Sequence, residues 1–190
     1  MSDVPRAEKE TYRYRIDGDN VIIGVSDNWL SFAEKNGGDG RCHPNRVVGM
    51  SLLDFVQDME TVHLYEIIIE KVRKTGKPAK FPFRCDSPGT RRFMELVVIP
   101  REGGGVELAS RAIRTEPRPL VRLLEDDAER SEDFLRVCSM CKKVALSEDR
   151  WVEAEEAVTA LGLFEKDRMP QLTHGICPAC YARAMAELDG

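Results

Sequence analysis

The sequence predicts an α+β protein: a five-stranded antiparallel sheet with helices gathered on one side, followed by a small second unit. Three observations predict it. Up to residue 119 the apolar pattern runs as two strand-like stretches, then helical ones, then three more strand-like stretches, an order that an antiparallel sheet satisfies without a long helical crossover between parallel strands. Residues 114–136 then open with prolines and collect acidic residues, the composition of a linker or a solvated connecting helix. Beyond residue 136, four of the chain's 6 cysteines stand as two Cys-x-x-Cys pairs. A chain of 190 residues, 42% hydrophobic and 32% charged, has material for one or two ordinary domains.

Each element has its own signal. "TYRYRID" and "NVIIGVS" flank the turn formers Asp17, Gly18 and Asp19, which predicts a first hairpin. Ser26 or Asp27 can cap "NWLSFAEKN", whose Trp29, Phe32 and Ala33 share one face before Gly37 and Gly38. "GMSLLDFVQDMETVHLYEIIIEKVRKTGKP" reads as a short helical turn and a longer helix with Val62, Tyr65, Ile69 and Val72 on one face. Lys71, Arg73 and Lys74 suit the C-terminal dipole of that helix, and Gly76 ends it. The strands "AKFPFRCD", "RRFMELVVIP" and "GVELASRAI" follow, the last two joined across "REGGG", whose glycines accept positive φ. No repeat of 20 to 50 residues is present.

Charge narrows the partners. Residues 1–119 hold 19 Lys/Arg and 18 Asp/Glu, residues 120–135 hold 2 and 6, and residues 136–190 hold 7 and 9. No segment forms the dense basic face that phosphates require, so nucleic acid is an unexpected partner. "MSDVPRAEKETYRYR" alternates charges without the apolar stretch of a leader, and no 18 consecutive apolar residues occur. A cytoplasmic location without a membrane partner is therefore expected, where thiols stay reduced and Cys-x-x-Cys pairs point to metal or redox chemistry before disulfides.

The pairs are Cys138/Cys141 in "CSMC" and Cys177/Cys180 in "CPAC", separated by 35 residues, 142–176. A Cys-x-x-Cys turn doubles the chain back so that two sulfurs reach one ion, and two such turns supply the tetrahedral four-thiolate shell of structural Zn²⁺. Lys142 and Lys143 follow the first pair, where they offset thiolate charge. "RWVEAEEAVTALGLF" reads as a helix with Trp151, Ala154, Val158 and Leu161 on one face. Pro178 suits a helix's first turn, so "PACYARAMAEL" runs as a helix whose N-terminus faces the thiolates. A knuckle first and a helix-borne pair last make a treble-clef-like zinc module over 136–190, after an acidic linker or connecting helix at 120–135. So short a unit draws much of its folding free energy from the metal. His174 makes a fifth candidate ligand, and matched turn geometry favours the four cysteines, with His174 just outside them as an outer-shell residue or alternative ligand. The rival reading of a thioredoxin-like redox pair needs a βαβ context that the sequence does not display.

"YRIDGDNVIIGVSDNWLSFAEKNG" and "VVGMSLLDFV" resemble the opening hairpin, first helix and central helical turn of a PAS domain, and the resemblance spans roughly residues 10–114, inside a first domain set at 10–119. It implies a sensor or an adaptor whose helices and concave sheet face enclose a small pocket, used in some members for haem, flavin or metabolites. The asparagine-cysteine-arginine-phenylalanine context of flavin photoreceptors is absent, since Cys42 lies in "GDGRCHPNR", and His43 and His63 are the histidines of this part of the chain, with His63 in mid-helix. The pocket ligand is left open. Cys85 in "FPFRCDSPGTRRF" is read first as a packed strand residue and second as a thiol activated by Arg84, Arg91 and Arg92.

The tail from "CSMCKKVALSEDRWVEAEEAV" to "THGICPAC", residues 136–181, resembles a short cysteine-rich module of bacterial signalling proteins, from which the longer helical insert "TALGLFEKDRMPQL" departs as an added contact surface. Together these features predict a non-enzymatic signalling or regulatory protein whose PAS-like unit senses a small ligand or a partner and whose zinc module mediates interaction or self-association. A thiol redox sensor acting through zinc-cysteine oxidation, and a haem or flavin sensor, are the alternatives.

Overall fold

Asp17 closes the first hairpin: its carboxylate accepts the N–H groups of Asp19 and Val21 at 2.9 and 3.0 Å, and Asn20 takes the left-handed conformation that the turn requires. The strands so joined are β1 (Thr11–Ile16) and β2 (Ile22–Val25). The structure is a computed structural model and describes residues 10–31, 43–56 and 58–190. Residues 29–31 begin the expected first helix, while its Phe32, Ala33 and closing glycines, and Cys42, lie outside the described residues. A short helix α1 (Pro44–Val47) and a 3₁₀ turn (Leu52–Phe55) lead to α2 (Met59–Thr75), which Gly76 ends in the left-handed region.

Three strands follow: β3 (Ala79–Arg84), β4 (Thr90–Pro100) and β5 (Val106–Pro117), with Gly103 and Gly104 at positive φ in the β4–β5 turn. All pairings are antiparallel and the sheet order is β2-β1-β5-β4-β3. The α+β class and the five-stranded antiparallel sheet are as the sequence predicts. Helix α2 turns Thr61, Leu64, Ile68, Ile69 and Val72 inward, a stripe one step round from the predicted one, so Val62 stands on its flank. Its apolar face meets Phe81, Leu96, Val98, Val106 and Leu108 in one core. Each such aliphatic side chain contributes about 2 kcal/mol by leaving water. Arg73, in the last turn of α2, donates to the carbonyls of Gly104 and Asp17 at 2.8 and 2.6 Å and so ties the helix end to both hairpins.

The stretch expected to be a linker is built differently. Val121 and Leu123 are buried in a second core, and β6 already runs from Arg130 to Cys138. The acidic residues that suggested solvation occupy the turn and exposed positions between these anchors, so charge along the sequence hid a structured segment. β6 pairs antiparallel with β7 (Val144–Ala145), which pairs with β8 (Trp151–Val152), and parallel with β9 (Met169–Gly175). Between them lie α3 (Ala154–Ala160) and a 3₁₀ turn (Leu163–Glu165), and α4 (Pro178–Asp189) follows. Trp151 therefore sits in a strand, and α3 buries Ala154, Ala157 and Val158 while Leu161 stays partly exposed beyond its end. The insert "TALGLFEKDRMPQL" is a helix end, a turn and a strand start, not a continuous helix, because Gly162 adopts positive φ and breaks it.

The two cores meet. Cys138, Met140, Ile176, Cys177, Cys180, Ala184 and Leu188 belong to the same apolar cluster as Phe81, Ile69 and Val72. The outer edge of β3 is closed by this contact: the Lys80 N–H donates to the Glu187 carboxylate at 3.0 Å, Pro82 has no N–H, and the Arg84 N–H donates to the Met140 carbonyl at 2.7 Å. Beside it lies a buried charge network in which Arg84 pairs with Asp86 and Glu153, and Arg118 with Asp86 and Glu155. The Arg118 and Asp86 side chains are only 1% and 2% exposed, so both depend on these partners.

Candidate metal centre

Each cysteine pair is placed by its local structure. Cys138 ends β6, and the chain reverses through Ser139 and Met140 so that the Cys138 N–H donates to the Lys143 carbonyl at 2.8 Å and the Lys142 N–H returns to the Cys138 carbonyl at 2.9 Å. Lys142 pays for this knuckle with a left-handed φ of 60°. Cys177 is the N-cap of α4, its sulfur accepting the Cys180 N–H at 3.4 Å, with Pro178 in the first turn. The Cys177 N–H donates to the Cys138 sulfur at 3.4 Å, linking the two pairs.

The result is a cluster in which the sulfurs of Cys138, Cys141, Cys177 and Cys180 all lie within 4.8 Å of one another, with Cys141 and Cys177 sulfurs 3.8 Å apart. A tetrahedral ion with metal–sulfur bonds near 2.3 Å requires sulfur–sulfur edges of about 3.8 Å, so the donor set fits one metal ion. Cys138, Cys177 and Cys180 are buried and Cys141 partly so. Hydrogen bonds from the Cys141 and Cys180 thiols and from backbone N–H groups push the Cys138 thiol far below its ordinary range. Donating to Cys138 and facing its charge, Cys141 is pushed up to about 12 and Cys180 higher still. Because the thiolate is the metal-binding form, a cation at the cluster would favour loss of the protons that Cys141 and Cys180 hold.

His174 lies on β9 opposite Val137 and is not among the mutually close ligand atoms. Burial lowers its pKa, Lys142 adds to that, and Asp58 opposes both. The sequence reading missed Asp58 and Glu60, at the start of α2. Asp58 caps the helix by accepting the Thr61 N–H at 2.8 Å and hydroxyl at 2.6 Å, and it also accepts the Ser139 hydroxyl at 3.0 Å, inside the knuckle. Glu60 accepts the Ile176 N–H at 2.9 Å, on the approach to Cys177, and pairs with Arg136. One helical turn therefore grips both cysteine-bearing loops. An N-cap Asp followed by Glu was legible as a helix start, but nothing in the sequence pointed it at residues 139 and 176.

Farther along the same helix, Tyr65 lines a cavity of about 240 Å³ with Tyr14, Trp29, Val47, Leu52 and Phe55. Burial raises the pKa of both tyrosines, and the Tyr14 and Trp29 rings meet edge to face at 5.6 Å. No histidine or cysteine is found in this wall among the described residues: His43 caps α1 through its ring nitrogen, and His63 is exposed beside Glu66. Cys85 is partly buried with its sulfur 3.9 Å from the Arg92 guanidinium, while Arg84 turns into the charge network. β6 and β9 are parallel with β7, β8 and α3 between them, and "CPAC" opens the helix that follows β9, but among the described residues no strand follows α4, so that helix is not the crossover of a βαβ unit.

No family model and no curated protein matches the chain. Among solved structures, a domain of an HTR-like protein from Haloarcula marismortui is similar over 55% of this chain and 98% of its own length, at 22% identity and a TM-score of 0.38. The photoactive yellow protein domain of the sensor histidine kinase Ppr from Rhodospirillum centenum is similar over 53% of this chain and 84% of its own, at 16% identity and a TM-score of 0.40. The sensor region of a sensor histidine kinase is similar over 60% of this chain but 42% of its own length, at 19% identity and a TM-score of 0.35. Among the described residues no helix is long and apolar enough to cross a membrane.

Proposed function

We propose that this protein is a non-catalytic sensor or regulator in which a PAS-like unit receives a small, mostly apolar ligand or a partner, and a structural zinc module presents the outcome. The observation that carries this reading is α2, which lines the cavity with Tyr65 and holds both cysteine loops through Asp58 and Glu60. Cys138, Cys141, Cys177 and Cys180 hold the ion; four soft thiolates suit zinc and leave no position open for a reacting water. Outside that set, His174 orients the approach to Cys177. A second reading, a thiol redox sensor, draws support from the "CPAC" pair at the start of a helix that follows a strand.

Native mass spectrometry of protein isolated under reducing conditions, with an absorption spectrum of its cobalt-substituted form, tests the assignment. One zinc per chain and a four-sulfur cobalt spectrum are expected, retained in His174→Ala and lost in Cys177→Ser. A spectrum of three sulfurs and one nitrogen would promote His174 to ligand, and a haem or flavin band in the freshly isolated protein would replace the apolar-ligand reading. Zinc release by equimolar peroxide, reversed by thiol, would favour the redox reading.

A further inference from the structure

The second core carries a feature unconnected with the cysteines. Leu120, Leu123, Val158, Leu163, Phe164 and Met169 line a cleft of about 390 Å³. Its floor is fully buried, whereas Leu120 and Phe164, from separate segments, are 71% and 77% exposed. Two large apolar side chains held in water beside an apolar cleft mark an interaction surface.

Charge selects the partner. The segments that build the cleft, residues 120–129 and 163–169, hold six carboxylates (Glu125, Asp126, Asp127, Glu129, Glu165 and Asp167) against three cations (Arg122, Lys166 and Arg168), a net charge of −3. Arg122, which lines the cleft, donates to the carbonyls of Lys166 and Asp167, and Arg168 pairs with Glu129. Glu125, Asp126, Asp127, Glu165 and Asp167 flank the apolar positions in sequence, and among the described residues none of them is seen in an ion pair. The segments that frame the cleft are therefore net acidic, although the charged residues of its wall are Arg122 and Glu155. That frame disfavours anionic lipid and nucleic acid, and it disfavours a second copy of a chain whose formal net charge is −5.

We propose that this cleft receives a positively charged amphipathic helix of a partner protein, its apolar residues at i, i+3, i+4 and i+7 entering between Leu120 and Phe164 and its lysines or arginines facing the acidic frame. The assignment is independent of the metal reading, because among the described residues no cysteine lines the cleft.

The test uses the full chain in its metal-loaded form and two labelled helical peptides of identical leucine spacing, one with lysines on its polar face and the other with glutamates, followed by fluorescence anisotropy. The lysine peptide is expected to bind saturably, at least about tenfold tighter than the glutamate peptide, and less tightly as salt is raised. Phe164→Ser and Leu120→Ser, both at exposed positions that the fold does not need, should each weaken binding by about tenfold. Equal affinity for the two peptides, or unchanged binding by both variants, would overturn the proposal. So would a concentration-dependent dimer of the wild type that Phe164→Ser abolishes, which would make a second copy the occupant.

Discussion

Asp58 joins the two halves of the molecule, since one carboxylate caps α2 and accepts the Ser139 hydroxyl of the knuckle. Burial opposes its ionisation, but hydrogen bonds from Thr61 and Ser139 outweigh burial and hold its pKa below the ordinary carboxylate value. A depressed carboxyl stabilises the folded state above its unfolded pKa, near 3.9, and loses that contribution as pH falls through the folded value. Asp58→Ala is expected to lower stability by about 1–2 kcal/mol at neutral pH, measured by chemical denaturation of the metal-loaded protein, with the gap to wild type closing below about pH 4. At this scale the sequence was legible where chemistry is local. Two Cys-x-x-Cys spacings identify their own turns, and the cluster forms from those four residues. Asp58 and Glu60 were illegible as site residues because their partners lie 81 and 116 positions away.

Among the elements, α2 and β3 carry the coupling, one through its first turn and the other through its outer edge. Both take partners from the cysteine module, so removing the metal should be felt outside residues 136–190. In hydrogen exchange, strong chelation is expected to accelerate the amides of Thr61, Lys80 and Arg84 together with those of the module, while the amides shared by β4 and β5 stay protected. Confinement of the change to residues 136–190 would instead describe two units that fold separately. Legibility varied by element type. The hairpins, α2 and α4 follow from turn residues, caps and periodicity, all written locally. Trp151 was drawn into a helix because its spacing to Ala154 and Val158 matches helical periodicity, whereas β7 claims it through the pairing of Ala145 with Trp151.

For the whole molecule, the boundary near residue 120 separates two sheets, but the first core crosses it, since Cys138, Ile176 and Leu188 pack in one cluster with Phe81 and Val72, while Val121 and Leu123 belong to a second cluster. The acidic stretch was read as a linker because charge density is a strong local signal, and the burial of Val121 and Leu123 depends on partners near residues 158 and 169 that no local pattern announces. The closed edge of β3 bears on how the chain is made. Lys80 waits for Glu187, 107 residues later in the chain, and at about 5–20 residues per second a ribosome needs roughly 5–20 s to deliver it. Through that interval the nascent sheet presents an open strand, with Pro82 as its built-in guard, to any other extended chain nearby. A protein ended at Gly175 is therefore expected to self-associate on size-exclusion chromatography more than the full chain does. α4 is thus the stopper of a sheet whose strands are all synthesised before it, and its arrival closes the interval in which that edge stands open.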